Sequence, residues 1–333
     1  MDRRATKKNA GIYFAVISAI LLGTSPIFGK QAILAGLHPT AVVAVRTAGA
    51  ALLLFIVILI FKREYLYIFP LGLLGCAIAG TLNGLGSLFY FASLASLDAS
   101  LGQFLFTLYP IFVAGLFYLD GSRPTNLTIV RLLLSIPGVY LLTLAGSGAV
   151  DIRGVILMLC ASCLYAIHIP INQRVLFEVP APTVTLYTLL AMTVVTVPAF
   201  LIFSRPFSNL PEAAILPMIC LTVVTFLSRL TLFAGVQLIG GIQTSLFGLA
   251  ELLVTVSLAY VILNETLTTV QWIGAAVLIA ALLLAAFDRL DPPSRRTGGW
   301  LYWLRPPMPR RHSSLDNLGT PNSDQSIDLD CPS

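Results

Sequence analysis

Apolar residues fill this chain in long runs, each close to the roughly 20 residues that a helix needs to cross a hydrocarbon layer. Breaks at proline, glycine and clustered charge separate ten such runs: 11–35, 39–61, 67–94, 98–118, 127–147, 152–175, 181–203, 213–238, 242–263 and 269–287. The pattern predicts an all-α integral membrane protein with ten transmembrane helices. The first run follows Arg3, Arg4, Lys7 and Lys8 as a signal peptide would. It is too long for one, lacks a small-residue cleavage site and contains Pro26 and Lys30, so it reads as a helix that stays in the membrane.

Composition points the same way. Of 333 residues, 57% are apolar and 11% charged, against about a quarter charged in soluble domains, and the mean hydropathy is +0.89. A water-soluble core of this length could not bury so much hydrocarbon without a larger polar surface. Twenty Lys and Arg against fifteen Asp and Glu leave a charge of +5, concentrated in terminal segments and short loops. That distribution is a topology signal, and nucleic acid is excluded as a partner. With the N-terminus inside, Lys62, Arg63, Arg123, Arg174 and the basic residues after 288 all fall inside, and only Arg153 and Arg205 fall in outside loops. The positive-inside rule then predicts a multi-pass protein of the cell membrane with both termini cytoplasmic.

Residues 1–10 read as a cytoplasmic N-terminus. The composition changes abruptly at Asp288, and residues 288–333, rich in Pro, Ser, Asp and Asn, read as a disordered cytoplasmic tail. Of the five cysteines, four lie inside apolar runs, and the C-x-x-C of Cys160 and Cys163 has no second pair or histidines to complete a zinc site. No disulfide framework, metal or cofactor is expected.

An internal repeat organises the runs. A shift of 143 residues aligns Gly11 with Gly154, Pro39 with Pro182 and Thr40 with Thr183, which divides the chain into a first unit at 11–147 and a second at 152–287. Five spans per unit is an odd number, so the second unit enters the membrane from the opposite side. The expected architecture is two inverted five-helix repeats, a device of transporters that places a site at the repeat interface.

Residues Gly235 to Ala286 resemble the closing half of an EamA-type repeat of the drug/metabolite transporter superfamily. They carry Thr244-Ser245-Leu246, Leu249-Ala250-Glu251, then Leu263-Asn264-Glu265 fourteen residues after Glu251, and Gly274 nine further on. This is similar to the family's "L-E-P … L-G-E … G" pattern, with Leu252 in place of the usual proline. In the first half, Ala99-Ser100-Leu101, Tyr109-Pro110 and Gly138 fit the same pattern, and Arg46 is similar to an arginine common in the second helix. The first half departs from it at the loop acid, where Arg123 stands opposite Glu265. The resemblance covers about residues 11–287 and implies a secondary transporter or exporter; the family handles amino acids, sugars, nucleosides and drugs.

Ionisable groups within the spans are expensive and ask for a partner or a cavity. Arg229 lies eleven residues before Gly240 and Glu251 ten after Gly241, so both fall roughly 16 Å from that turn, near the midplane. Two readings stand: a structural ion pair, or groups that hold a polar solute, with Glu251 as a proton carrier. Lys30 and Arg46 flank the turn at Gly36 to Pro39 at similar depth, and either form an anion-attracting vestibule or snorkel to the headgroups. The first span carries no carboxylate, which disfavours cationic drugs and favours an anionic, zwitterionic or neutral polar solute. His168 beside Pro170 pairs by the repeat with Ser25 beside Pro26, and both helices read as interrupted there. His168 serves either as a hydrogen bonder between helices or in a central site. Asn83, Ser87, Tyr90, Gln103 and Tyr109 add polar and aromatic groups, and the glycines at 80, 84 and 86 suit close helix packing.

The candidate substrate-binding or coupling residues are Glu251, Arg229, His168, Tyr90, Tyr109, Lys30 and Arg46. They predict a transporter that moves a small polar metabolite, such as an amino acid or related compound, by alternating access, with proton coupling, surrounding lipid and a homodimer as open features. The competing reading is a polytopic membrane enzyme or lipid-handling protein. With histidines spread at 38, 168 and 312 and no acidic cluster, no catalytic constellation supports it.

Overall fold

The computed structural model describes residues 3–119, 126–144, 151–204, 211–239 and 248–287. Every regular element among them is helical. The first half holds α1 (Arg3–Leu34), α2 (Pro39–Phe61), α3 (Pro70–Leu94), α4 (Ala99–Phe106), α5 (Tyr109–Leu119) and α6 (Asn126–Leu144). The second holds α7 (Ile152–Leu176), α8 (Ala181–Phe203), α9 (Glu212–Ile239), α10 (Gly248–Leu263) and α11 (Thr269–Phe287). The proposed tail at 288–333, most of the N-terminal residues' side chains, and the turn at Gly240-Gly241 lie outside the described residues.

Local chemistry sets the helix limits. Pro39 and Pro70 open α2 and α3, where a missing N–H costs nothing and the fixed φ favours the first turn. Asp151 caps α7 by accepting from the Arg153 N–H at 3.0 Å. Gly36, at φ 101°, turns the chain between α1 and α2 in a conformation that side chains disfavour. Helix α1 begins at Arg3, ahead of the apolar run, because helical geometry continues into a polar segment that hydropathy cannot register.

The fourth apolar run departs from the sequence expectation. It is two helices, α4 and α5, joined by Thr107 and Leu108. Pro110 has no N–H to offer the carbonyl of Phe106, one turn back, and the Ser162 hydroxyl of α7 donates to that carbonyl at 2.8 Å instead. The interruptions expected at Pro26 and Pro170 do not occur as helix ends: both prolines lie inside continuous helices, α1 and α7.

The packing interleaves the halves. Helix α1 lies on α9 and α7 on α3, α1 also meets α10 while α7 meets α4 and α5, α2 packs on α8, and α6 on α11. Exchanging the halves maps this pairing scheme onto itself. Small residues allow the close approaches. A Cβ on Gly80 would stand 2.6 Å from the Thr188 carbonyl oxygen of α8, and one on Gly23 would stand 2.7 Å from the Glu251 carbonyl oxygen of α10.

Among the described residues, six helices are long and apolar enough to cross a membrane: Asn9–Leu34, Pro39–Phe61, Pro70–Leu94, Ile152–Leu176, Ala181–Phe203 and Glu212–Ile239. Large apolar side chains cover the outer faces, as at Leu52, Ile60 and Phe61 on α2 and Val194, Leu201 and Phe203 on α8. Such continuous apolar exposure is stable against lipid and not against water.

Candidate functional site

A cavity of about 490 Å³, including its open mouth, lies where the halves meet. Its walls come from α1 (Leu22, Ser25, Pro26), α2 (Arg46), α3 (Asn83, Gly86, Ser87, Tyr90), α4 (Phe106), α7 (Ala161, Tyr165), α9 (Arg229) and α10 (Glu251). Gly23, which touches the backbone of Glu251, lies eleven residues before the end of α1. That places this wall about 16 Å along the helix from the end of α1, deep in the protein.

Arg46, Arg229 and Glu251 are all less than one-tenth exposed. Arg229 and Glu251 share the cavity without forming an ion pair, and the described ion pairs are Lys62 with Glu64 and Arg174 with Glu178. Each instead rests on an amide side chain of the first half. The Arg229 guanidinium donates to the Asn83 amide oxygen, 2.8 Å from Nη1 and 3.2 Å from Nη2, with the amide turned so that its oxygen faces the donors. Gln103 Nε2 donates to Glu251 Oε1 at 2.9 Å, while Gln103 Oε1 accepts from the Tyr90 hydroxyl at 3.0 Å. Gln103 thereby links a cavity aromatic to the cavity acid. The Thr255 hydroxyl spans the carbonyls of Gly23 at 2.8 Å and Glu251 at 3.0 Å, which fixes the Glu251 backbone against α1.

Arg46 differs from the other two charges. Its guanidinium stacks on the Phe91 ring with Cζ 4.5 Å from the centroid, a favourable cation–π placement. Its buried Nε has no hydrogen-bond partner among the described residues. Gly29 of α1 leaves the room that the Phe91 ring occupies, since a Cβ there would overlap it. The expectation that Arg46 snorkels to the headgroups is therefore corrected: packing against Phe91 and the cavity wall holds it inside.

The structure separates Lys30 from Arg46. Lys30 Nζ donates to the carbonyls of Leu94 and Leu97, each at 2.7 Å, at the end of α3, and it does not line the cavity. It forms no shared cavity wall with Arg46, because unpaired carbonyls at a helix end satisfy an ammonium within reach. His168 is fully buried behind the wall. Its Nδ1 is 2.7 Å from the Tyr165 carbonyl of its own helix, and its Nε2 has no partner among the described residues, so it neither bridges helices nor faces the cavity. Tyr109 is buried with its ring edge-on to Tyr165 at 5.0 Å. The cavity thus brings together Arg46, Tyr90, Arg229 and Glu251 from the candidate set, and places Lys30, His168 and Tyr109 around it.

Two contributors to the arrangement lie outside the candidate set. Tyr165 is a cavity wall that reads as one more aromatic in an apolar run, although it lies one helical turn before His168. Glu265 belongs to the motif that carries the family resemblance, and its function is to cap α4. Its carboxylate accepts from the Ala99 N–H at 2.7 Å, the Ser100 N–H at 2.9 Å and the Ser100 hydroxyl at 2.8 Å. The preceding Asn264 takes φ 54°, the left-handed conformation at a helix end that Gly and Asn adopt most readily. Asn therefore fills the role of the glycine in the related pattern.

Comparisons with known proteins agree. The model of the EamA-like transporter family matches residues 9–144 and again 152–287. An uncharacterized transporter of Archaeoglobus fulgidus is 28% identical over 64% of this chain and 75% of its own. Another, of Synechocystis sp., is 26% identical over 66% of this chain and 67% of its own. A solved protein crystal structure superposes with a TM-score of 0.60 over 85% of this chain and 97% of its own at 16% identity, a likeness of fold alone. With two family repeats filling the span from 9 to 287 and a multi-pass helical fold around a buried polar cavity, this chain belongs to the EamA-like transporter family, membrane transporters rather than enzymes.

Proposed function

We propose that the protein is a secondary transporter that moves a small polar metabolite, such as an amino acid or a related compound, across the cell membrane by alternating access. In this reading the helices form ten transmembrane spans in two inverted five-helix repeats, with α4 and α5 together making one span, and both termini are cytoplasmic. The observation that carries it is the cavity at the seam, lined by both halves and holding three buried charges. A solute in it touches both halves at once, so relative motion of the halves would expose it to either face. Glu251 is the cavity's acid and its natural proton carrier.

Purified protein in proteoliposomes, assayed with labelled amino acids and organic acids under an imposed proton gradient, tests the reading. Saturable flux that is lost in Glu251→Gln supports it. Proton-driven uptake that persists unchanged in Glu251→Gln removes the coupling role. Absence of saturable flux for the whole panel in either direction counts against transport of these metabolites.

A further inference from the structure

We propose that the cavity's ligand is a small monocarboxylate with an apolar body, bound through its carboxylate to Arg46, and not a zwitterion or a cation. The inference rests on the transporter reading and, within its class of small polar metabolites, replaces the amino-acid example with a monoanion. Two guanidiniums and one carboxylate line the cavity, so with all three charged it holds one cation in excess. The bonding identifies which one. Arg229 is held by Asn83, and Glu251 by Gln103. Among the described residues, Arg46, more than nine-tenths buried, stacks on the Phe91 face, has no carboxylate in an ion pair with it, and its Nε has no hydrogen-bond partner.

A buried cation without a counter-ion is costly, and a ligand that supplies the anion recovers that cost on binding. Guanidinium and carboxylate are planar and match as a fork to a fork. Stacking on Phe91 also fixes the guanidinium plane in advance, so little side-chain freedom is lost when the ligand arrives. A monoanion balances the cavity with no charge left over. A zwitterion balances Arg46 only by bringing another cation into a space that already has one too many, and a cation adds to the excess. Besides the three charges and Ser25, Asn83, Gly86 and Ser87, the wall is apolar, formed by Leu22, Pro26, Phe106, Ala161 and the rings of Tyr90 and Tyr165, and this larger apolar share favours an apolar body over a polyhydroxylated one.

The test is thermal unfolding of the purified full-length protein at constant ionic strength against two matched probe sets. One is 3-phenylpropionate, phenylalanine, phenethylamine and 3-phenylpropionamide; the other is butyrate, 2-aminobutyrate, propylamine and butyramide. A ligand that binds only the folded state raises the midpoint by mass action. The expected result is a saturable rise of a few degrees with a carboxylate, and at least about tenfold weaker half-saturation with its amino acid, amine and amide analogues. The rise is lost in Arg46→Gln, partly kept in Arg46→Lys and unchanged in the surface control Lys62→Gln.

Three results overturn the proposal: an amino acid as effective as its matched carboxylate, a carboxylate response that survives in Arg46→Gln, or no response to either carboxylate. If Arg46→Gln does not fold, the ranking of the analogues on the unaltered protein decides. Flux in proteoliposomes separates the two levels. Amino acids carried in place of carboxylates sink the ligand class and leave transport standing, whereas carboxylate binding without any carboxylate flux sinks transport and leaves the site.

Discussion

Glu265 and Ser100 come from opposite halves of the chain, 165 residues apart, and the carboxylate of one accepts both the backbone N–H and the hydroxyl of the other. With the Ala99 N–H added, the acid of one repeat supplies the N-terminal cap for a helix of the other. Caps of this kind contribute about 0.5–2 kcal/mol each. Glu265→Ala is therefore expected to lower the unfolding midpoint of the purified protein clearly, and Glu265→Gln less, since an amide oxygen still accepts. The comparison is Glu64→Ala, which removes an exposed pair with Lys62 at 3.7 Å and is expected to change the midpoint little. Equal effects from the two alanine variants would refute the cap.

Asn264 precedes that acid at φ 54°. Asn264→Gly should be neutral or slightly stabilising, because glycine adopts this conformation without a Cβ penalty. Asn264→Val should destabilise by about 1–2 kcal/mol, since a branched Cβ is disfavoured there. Thermal unfolding of the pair measures the difference, and equal midpoints would contradict the strained turn.

Gln103 holds Glu251 from one side and Tyr90 from the other. Gln103→Leu removes both hydrogen bonds while keeping a similar volume, and it leaves a buried acceptor and a buried donor unmet at about 1–3 kcal/mol each. Solute flux is expected to fall by at least about tenfold, the rate equivalent of 1.4 kcal/mol, in protein that still inserts and elutes as a single species. Gln103→Glu is expected to be worse, because it sets a second carboxyl against Glu251. A Gln103→Leu variant with full flux would show that the linkage does not matter to the site.

Gly29 leaves room for Phe91, and Phe91 carries Arg46. Gly29→Ala, a change of one methyl group on α1, should push the ring and tilt the guanidinium on α2 away from its present plane. Binding of 3-phenylpropionate should weaken in this variant by about as much as in Phe91→Leu, which loses a cation–π contact of about 0.5–2 kcal/mol. Titrations of both variants, followed by the shift in unfolding midpoint, check it; unaltered binding in Gly29→Ala would show that the ring yields without moving Arg46.

Much of the helical arrangement can be read from the chain because its limits are chemically marked. Helices α2, α8 and α11 coincide with the apolar runs at 39–61, 181–203 and 269–287, where a proline or a polar loop marks the start of each. The division of the fourth run is less visible. Pro110 shows in the sequence, but its effect depends on Ser162, which accepts the task of satisfying Phe106 from 56 residues away.

The charges divide along similar lines. Counting residues from a turn gives the depth of a side chain but not the direction it faces around its helix. Arg229 and Glu251 accordingly meet in one cavity, while Lys30 and Arg46, equal in depth by the same count, go to different places. The neighbour that decides each outcome is remote in sequence: Leu94 and Leu97 for Lys30, and Phe91 for Arg46. Tyr165 shows the same limit, since nothing in an apolar run distinguishes the aromatic that faces the cavity from those that face lipid.

The short segment between α3 and α4 is gripped from both ends. Lys30 holds the carbonyls of Leu94 and Leu97, and Glu265 holds the N–H groups of Ala99 and Ser100. Any rearrangement that parts α4 from the α10–α11 turn breaks the three bonds to Glu265, one on Oε1 and two on Oε2. Parting them would leave the first-turn N–H groups of α4 without this acceptor, so the segment is tied to the second half of the chain by polar contacts as well as by packing.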